Sequence, residues 1–292
     1  MNRIMALLWA AAVSLALGAC GERPRTDGVE ARPDSGTEEK EQDMSALKPP
    51  SADSVLYFIY QRDGDGATTY QVDGGATVSY WYGHEFDFKG KRYFTGFASK
   101  SEGNEGPDGD AGMMQEPGHV AISQATFTRV ENDGKQTWSK PDTDGYVGEF
   151  GKNAQPEDID TSRKVQSHET QDGRYLLAIP TRDFTNGVAT EMFALFLFDP
   201  DNADPLDLRA WGYLGSIAAG SENSAACDGG AVMTCASSTG VLSFGPEADA
   251  GLPRLKVALT GEAVSGPGQV RPLSAQDAET YRFDANAGRY TP

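Results

Sequence analysis

The strongest constraint on the fold is a series of short apolar runs separated by turn-forming residues. Three of them are TVSYWYG (77–83), KRYFTGFA (91–98) and TEMFALFLFDPD (190–201), which are rich in aromatic and β-branched side chains. Such runs are typical of β-strands. No part of residues 55–292 keeps an apolar period of 3.6 residues over ten or more positions. We therefore expect an all-β fold, an antiparallel sandwich or barrel-like domain with long loops and at most one or two short helices.

Two segments carry predictions about strand pairing. EFDFKGKRYF (85–94) is typical of a β-hairpin, in which Phe86 lies opposite Tyr93 and Gly90 permits the turn. HVAISQATFTRV (119–130) alternates only in part, which indicates either a β-bulge or two half-buried faces.

Other segments raise the choice between strand and helix. VLYFIY (55–60) is interpreted as the first strand of the folded domain. TEMFALFLFDPD is either a buried strand or a short helix, and its Asp-Pro end favours the strand. A brief helix is predicted near SAQDAETY (274–281), where Ser274 has the position of an N-cap and Asp277 follows three residues later.

The beginning of the chain has the layout of an export signal. Arg3 is followed by residues 4–19, which are apolar or small and carry no charge. A helix over that run would be about 24 Å long, short of the roughly 30 Å of hydrocarbon that a spanning helix crosses. We therefore interpret residues 1–19 as a signal peptide.

That run ends in LGAC (17–20), which resembles the lipobox of bacterial lipoproteins. The resemblance covers residues 1–21. It implies cleavage before Cys20, a diacylglycerol on the sulfur and usually a further acyl chain, such as palmitate, on the new amino group. Two or three acyl chains give lasting membrane attachment. Gly21, rather than Asp, implies the outer membrane of a Gram-negative envelope; the alternative is a secreted protein with a chance cysteine at this place.

Residues 20–54 have almost no large apolar side chains and contain several prolines. Such a composition cannot bury enough surface to offset the entropy of ordering the chain. It predicts a lipidated cysteine followed by a disordered acidic tether. Residues 55–292 are the β-rich folded part, whose length is compatible with one domain or two sub-domains.

The chain has three cysteines: Cys20, Cys227 and Cys235. If Cys20 carries lipid, the other two form an even set in an oxidising compartment, which predicts a disulfide bond. The turn-forming segment DGGAVMT between them lets the two ends meet. A metal-binding pair is disfavoured because CxxC spacing and nearby histidines are lacking.

The formal net charge is −18. Nucleic acid is a disfavoured partner, since phosphate binding needs basic patches. Anionic lipid head groups would also repel the body, so the acyl chains on Cys20 would have to hold it at the membrane. The charge favours a cationic protein partner. The alternative is that acidity serves solubility alone.

A short aromatic cluster is the best candidate for a binding surface. Tyr80, Trp81 and Tyr82 are consecutive, and His84 follows beside Glu85. In a regular strand Tyr80 and Tyr82 point to one face and Trp81 to the other. Exposed aromatic side chains are favoured at recognition surfaces. The alternatives are that both faces are covered and that the histidine only closes a turn.

Sequence motifs for catalysis or metal binding are incomplete or missing. The three histidines are far apart in the chain, and neither H-E-x-x-H nor G-x-S-x-G occurs. Three aspartate-rich segments begin a calcium-loop pattern without completing it: 63–66, 108–112 and 199–204. We therefore predict no catalytic residue, no metal ligand and no cofactor.

Two functions of different classes follow from these patterns. The first is a membrane-tethered envelope lipoprotein whose acidic β-domain binds a partner, in its sharper form an inhibitor or immunity protein that neutralises a cationic enzyme. The second is an envelope hydrolase that cleaves a polysaccharide or peptide with carboxylates in a groove of the β-scaffold. The lack of a catalytic signature favours the first.

Overall fold

The computed structural model describes residues 47–101, 118–202 and 208–292. The predicted signal peptide, Cys20 and the tether as far as residue 46 lie outside the described residues. Within the described ranges the chain is built mainly of antiparallel strands with two short helices, α1 (Ala52–Tyr60) and α2 (Ser224–Cys227). The all-β prediction is confirmed.

The strands form two sheets. The first has the order β1-β2-β3-β4-β5, with β6 also beside β4, and consists of β1 (Thr69–Gln71), β2 (Thr77–Phe88), β3 (Lys91–Lys100), β4 (Val120–Asn132), β5 (Lys135–Trp138) and β6 (Asp142–Phe150). The second has the order β16-β15-β13-β12-β11-β10-β9-β7, with β14 beside β13 and β8 beside β9. It consists of β7 (Asp158–Ile159), β8 (Gln166–Glu169), β9 (Tyr175–Thr185), β10 (Val188–Phe198), β11 (Trp211–Glu222), β12 (Ser237–Glu247), β13 (Pro253–Gly266), β14 (Gln269–Pro272), β15 (Glu279–Asp284) and β16 (Arg289–Thr291).

An aromatic core joins the two sheets. Phe97 of β3 lies against Phe196 of β10 and Trp211 of β11, with ring centroids 4.7 and 5.2 Å apart. All three side chains are fully buried. Aromatic burial on this scale dominates core energetics, since each ring removes about 150–250 Å² from water.

The second sheet curls into a half-barrel and covers its own other face. Leu195 and Ile217 point away from the first sheet and pack in a second core with Leu255 of β13 and Tyr281 of β15. Both faces of β10 are therefore buried. This explains why its sequence is apolar throughout instead of alternating, and it confirms the strand interpretation of that segment.

The prediction of a strand at residues 55–60 is wrong, because these residues belong to helix α1. Val55 and Phe58 pack on the outer face of the first sheet, while Tyr57 remains 46 % exposed. Gly96 of β3 makes the contact close, since a Cβ there would lie 2.4 Å from a methyl carbon of Val55. Tertiary packing thus overrides the strand preference of aromatic and β-branched residues.

The folded body also begins earlier than residue 55. The indole Nε1 of Trp138 donates a hydrogen bond of 2.8 Å to the carbonyl oxygen of Lys48, and α1 begins at Ala52. From Lys48 onward, residues assigned to the tether thus belong to one compact unit with the described residues of both sheets.

Several local predictions are confirmed. Phe86 pairs with Tyr93 across the β2–β3 hairpin. Strand β4 has a register irregularity against β6, and both of its faces are covered. Ser274 caps a single 3₁₀ turn, Ala275–Asp277, instead of an α-helix.

The remaining two cysteines pair as predicted. The sulfur atoms of Cys227 and Cys235 lie 2.04 Å apart, at disulfide distance. Among the described residues, neither helix has the length and apolar character needed to cross a membrane.

Candidate functional site

The four residues predicted as a binding surface do not form one surface. A β-bulge interrupts the pairing of β2 with β3 between Tyr80 and Tyr82. As a result Tyr80 packs on the α1 side of the sheet, whereas Trp81 and Tyr82 both pack against the core between the sheets. The expected alternation is wrong here because a bulge adds one residue to one strand and changes which face the following side chains occupy.

Trp81 and His84 are half-buried in aromatic surroundings. The Trp81 ring lies 4.7 Å from that of Phe150, and its Nε1 donates to the carbonyl oxygen of Glu157 at 2.7 Å. His84 stacks on Phe86, with Nε2 3.1 Å from the hydroxyl of Tyr175. Burial lowers the pKa of His84 to about 4. The imidazole is therefore neutral at neutral pH and serves as a packed polar group of the sheet.

A cleft of about 610 Å³ lies where β6, β11 and β16 converge. That volume is within the range of small-ligand sites. Phe150 and Tyr213 supply its aromatic lining, and the carboxylates of Glu149 and Glu157 line it as well. The cleft therefore combines apolar area with a few polar groups, as binding sites commonly do.

Glu157 is an ionisable group of the cleft with several hydroxyl partners. Its carboxylate accepts hydrogen bonds from the hydroxyls of Ser216, at 2.8 and 3.0 Å, and of Thr181, at 2.7 Å. Burial raises the pKa of the Glu157 carboxyl, and these hydrogen bonds offset part of that effect. Among the described residues no lysine, arginine or histidine forms an ion pair with it. The half-buried carboxylate therefore receives its protein hydrogen bonds from neutral hydroxyl groups, with the charge of Lys152 acting on it only from a distance.

A hydrogen-bond chain extends from this carboxylate. Ser216 has one hydroxyl hydrogen, which it donates to ionised Glu157, so the hydroxyl of Tyr213, 2.9 Å from Ser216 Oγ, must donate to Ser216. Burial raises the pKa of the Tyr213 phenol. The chain fixes the orientation of both hydroxyls, which is a form of preorganisation.

The segment that carries Glu157 is anchored by Arg163, whose side chain is 14 % exposed. Arg163 donates through Nε to Asp160 at 2.7 Å, and through Nη2 to the carbonyl oxygens of Thr181 and Met192 at 2.7 and 2.8 Å. Its guanidinium also lies 4.8 Å from the ring centroid of Phe193. These contacts hold the chain after Glu157 against β9 and β10.

Cationic groups are also present around the cleft. Lys152 is paired with Asp183, Nζ to Oδ2, at 2.6 Å. Arg289 is exposed on β16 and lines the cleft, as does His119. The cleft is therefore mixed in charge, with the desolvated carboxylate of Glu157 as its distinctive feature.

The sequence reasoning missed Glu157. It is one of 43 acidic residues, and its burial arises from β9 and β11, which are distant in sequence. The only local signal is its position after Pro156 in a segment without strand character.

No group of three His, Cys, Asp or Glu side chains among the described residues is placed to hold a metal ion. No family model matches the chain, and no curated protein or solved structure matches it.

Proposed function

We propose that the β-domain is a binding module that receives a basic side chain of a cationic protein partner in the cleft between β6, β11 and β16. The observation that carries the proposal is the Glu157 carboxylate, which lines the cleft and has hydroxyl donors but no ion-pair partner among the described residues. A lysine or arginine that reaches this group supplies the missing counter-charge. Charge-assisted hydrogen bonds in such partly desolvated sites are stronger than neutral ones.

The charge of the whole protein supports the same partner class. A net charge of −18 attracts cationic proteins over a distance and speeds their association at low ionic strength. The resemblance of LGAC (17–20) to a lipobox supports a location in the bacterial envelope. There, lipid on Cys20 anchors the protein at the outer membrane. In that setting the module captures its partner at the membrane surface, as an inhibitor or immunity-type lipoprotein does.

Isothermal titration of the purified full-length protein with hen lysozyme and with pentalysine tests the binding proposal. The Glu157→Gln variant removes the charge and keeps the shape, and we expect it to weaken binding at least tenfold. Glu131→Gln, an equal charge change on an exposed residue at the end of β4, is the matched control. Equal affinities of the two variants, or no binding of either probe to the wild type, would refute the proposal.

Mass spectrometry tests the membrane anchor independently. The expected mature chain begins at Cys20 and carries acyl chains, and Cys20→Ser leaves the protein unacylated. A mature chain with an unmodified Cys20 thiol would contradict the anchor without affecting the cleft.

A second function is favoured by one observation, namely that Glu149 and Glu157 line the same cleft. Glycoside hydrolases typically use two carboxylic groups in one groove, and one of them has a raised pKa, as Glu157 does. This candidate is an envelope hydrolase with Glu157 as general acid. Release of reducing ends from peptidoglycan by the wild type, abolished in Glu157→Gln, would favour it over the binding module; lack of turnover would exclude it for that substrate.

A further inference from the structure

Three strands converge at the cleft without pairing with one another. Among the described strands, β6 pairs with β4 alone and β16 with β15 alone. Strand β11 pairs with β10 along its length but with β12 only at Gly220–Glu222. In the described part of the chain, no ladder joins β6, β11 and β16.

The cleft presents strand backbones instead of alternating side chains. Consecutive residues line it on two sides, 148–152 from β6 and the segment after it, and 287–292 around β16. When the face of a strand borders a cleft, alternate residues of the strand line the cleft. When the edge of a strand borders the cleft, successive residues line it. Among the glycines that line the cleft, Gly288 has open space where a Cβ would stand, so its main chain is accessible to a ligand, whereas Gly148 and Gly151 pack closely on Tyr213 and Gln155.

The edge of β11 that faces away from β10 has few hydrogen-bond partners. Between Trp211 and Ala219, only one contact on this side is present in the described structure: the hydroxyl of Tyr281, which also contacts the carboxylate of Glu279, lies 3.3 Å from the carbonyl oxygen of Ala218. Within the described ranges, strand β16 likewise has main-chain pairing on one side alone. Unpaired strand edges are templates for pairing with another chain, and proteins usually cover them.

We propose that an extended segment of the partner polypeptide lies in this cleft as an added β-strand between β6 and β16, with a basic side chain directed to Glu157. This inference rests on the proposed function and specifies its ligand, an extended basic peptide. Main-chain hydrogen bonds supply affinity in this mode, and pockets for individual side chains supply specificity. The Glu157 carboxylate selects the basic residue of the peptide. Ser216, on the central strand β11, holds this carboxylate in place by a hydrogen bond.

The test compares two pools of pentapeptides on the purified full-length protein. The first pool has lysine fixed at the centre and random flanking residues. The second is identical except that the backbone amides beside the lysine are N-methylated, which removes donors and keeps the charge. Butylamine serves as a probe that has the cation and no peptide backbone.

We expect the first pool to bind and N-methylation to weaken binding by about three- to tenfold, the effect of one lost hydrogen bond. Glu157→Gln is expected to weaken the first pool at least tenfold, with Glu131→Gln unchanged. Hydrogen exchange is expected to slow with the peptides and not with butylamine at those amides of Arg289–Thr291 and Gly148–Phe150 that point away from β15 and β4.

The outcomes separate this inference from the function on which it rests. Equal binding of the two pools, with both weakened by Glu157→Gln, would overturn strand addition and keep the basic-side-chain site. Unequal pools with no effect of Glu157→Gln would keep strand addition and overturn the role of Glu157. No binding of the first pool would overturn the inference.

Discussion

The substitution Thr126→Val tests a buried polar network in the core between the two sheets. The Thr126 hydroxyl donates to Gln124 Oε1 at 2.6 Å and accepts from Trp211 Nε1 at 3.0 Å. It also lies 2.9 Å from the hydroxyl of Thr95, which must donate because the hydrogen of Thr126 is already used. Gln124 and Thr95 are fully buried, so water cannot replace a lost partner.

The magnitude follows from the groups that the substitution leaves unpaired. Valine keeps the shape of threonine but leaves three groups without their partner: the indole N–H of Trp211, the side-chain oxygen of Gln124 and the hydroxyl hydrogen of Thr95. Each buried unpaired group costs about 1–3 kcal/mol, and the added methyl group returns less than about 1 kcal/mol. We therefore expect Thr126→Val to lower the free energy of unfolding by about 2–4 kcal/mol.

Thr95→Val is the matched control, since it makes the same chemical change at a buried site of the neighbouring strand. It removes one hydrogen bond, and its partner Thr126 keeps two others. The expected loss is about 0.5–1.5 kcal/mol.

Urea unfolding followed by tryptophan fluorescence measures both variants. In a domain of this size each kcal/mol corresponds to about 2–4 °C in melting temperature, so thermal unfolding provides a second measurement. If the two variants lose the same stability, the network does not act through Thr126 and the reasoning is refuted.

Three further changes test other parts of the fold. Gly96→Ala places a Cβ 2.4 Å from a methyl carbon of Val55 and should displace α1, with a loss of about 1–3 kcal/mol in urea unfolding. Replacing Cys227 and Cys235 by serine should cost about 2–3 kcal/mol, because the closed loop is short, as measured with guanidinium. The wild type should lose stability as pH falls from 6.5 toward 4, because burial lowers the pKa of His84 to about 4 and the unfolded chain binds the proton more tightly; His84→Phe should reduce this loss in pH-dependent unfolding curves.

Each of these predictions has an outcome that contradicts it. Unchanged stability of Gly96→Ala would mean that α1 does not need close contact with β3. If the double serine variant were as stable as the oxidised wild type, the disulfide would contribute nothing to the stability of the fold. Parallel pH curves for wild type and His84→Phe would show that the imidazole titrates alike in the folded and unfolded chain.

The strands were predictable where local chemistry determines them. The hairpin of Phe86 and Tyr93 has its turn residues in the sequence, with Lys89 and Gly90 at φ 47° and 72°. The apolar run of β10 is bounded by turn formers on both sides. In these places local preference and tertiary packing agree, which is the condition under which sequence patterns identify structure.

The errors occur where distant parts of the chain decide. Helix α1 has only nine residues, too few for a convincing period, and its place is set by contact with Gly96 on β3. The bulge at Trp81 depends on the pairing of β2 with β3, which no local pattern specifies. Glu157 became notable only because β9 and β11 place the hydroxyls of Thr181 and Ser216 against its carboxylate.

The bulge and the site are physically connected, which explains how a desolvated carboxylate is maintained in the cleft. The bulge turns Trp81 to the core between the sheets, and from there its indole N–H holds the carbonyl oxygen of Glu157 at 2.7 Å. On the other side of the segment, Arg163 binds the backbone of β9 and β10. Because the main chain is fixed on both sides, the half-buried Glu157 carboxylate is held at the cleft beside the hydroxyls of Ser216 and Thr181. The fold thereby holds the Glu157 carboxylate in a fixed position where it can accept hydrogen bonds from a cation. A specific binding site requires such preorganisation.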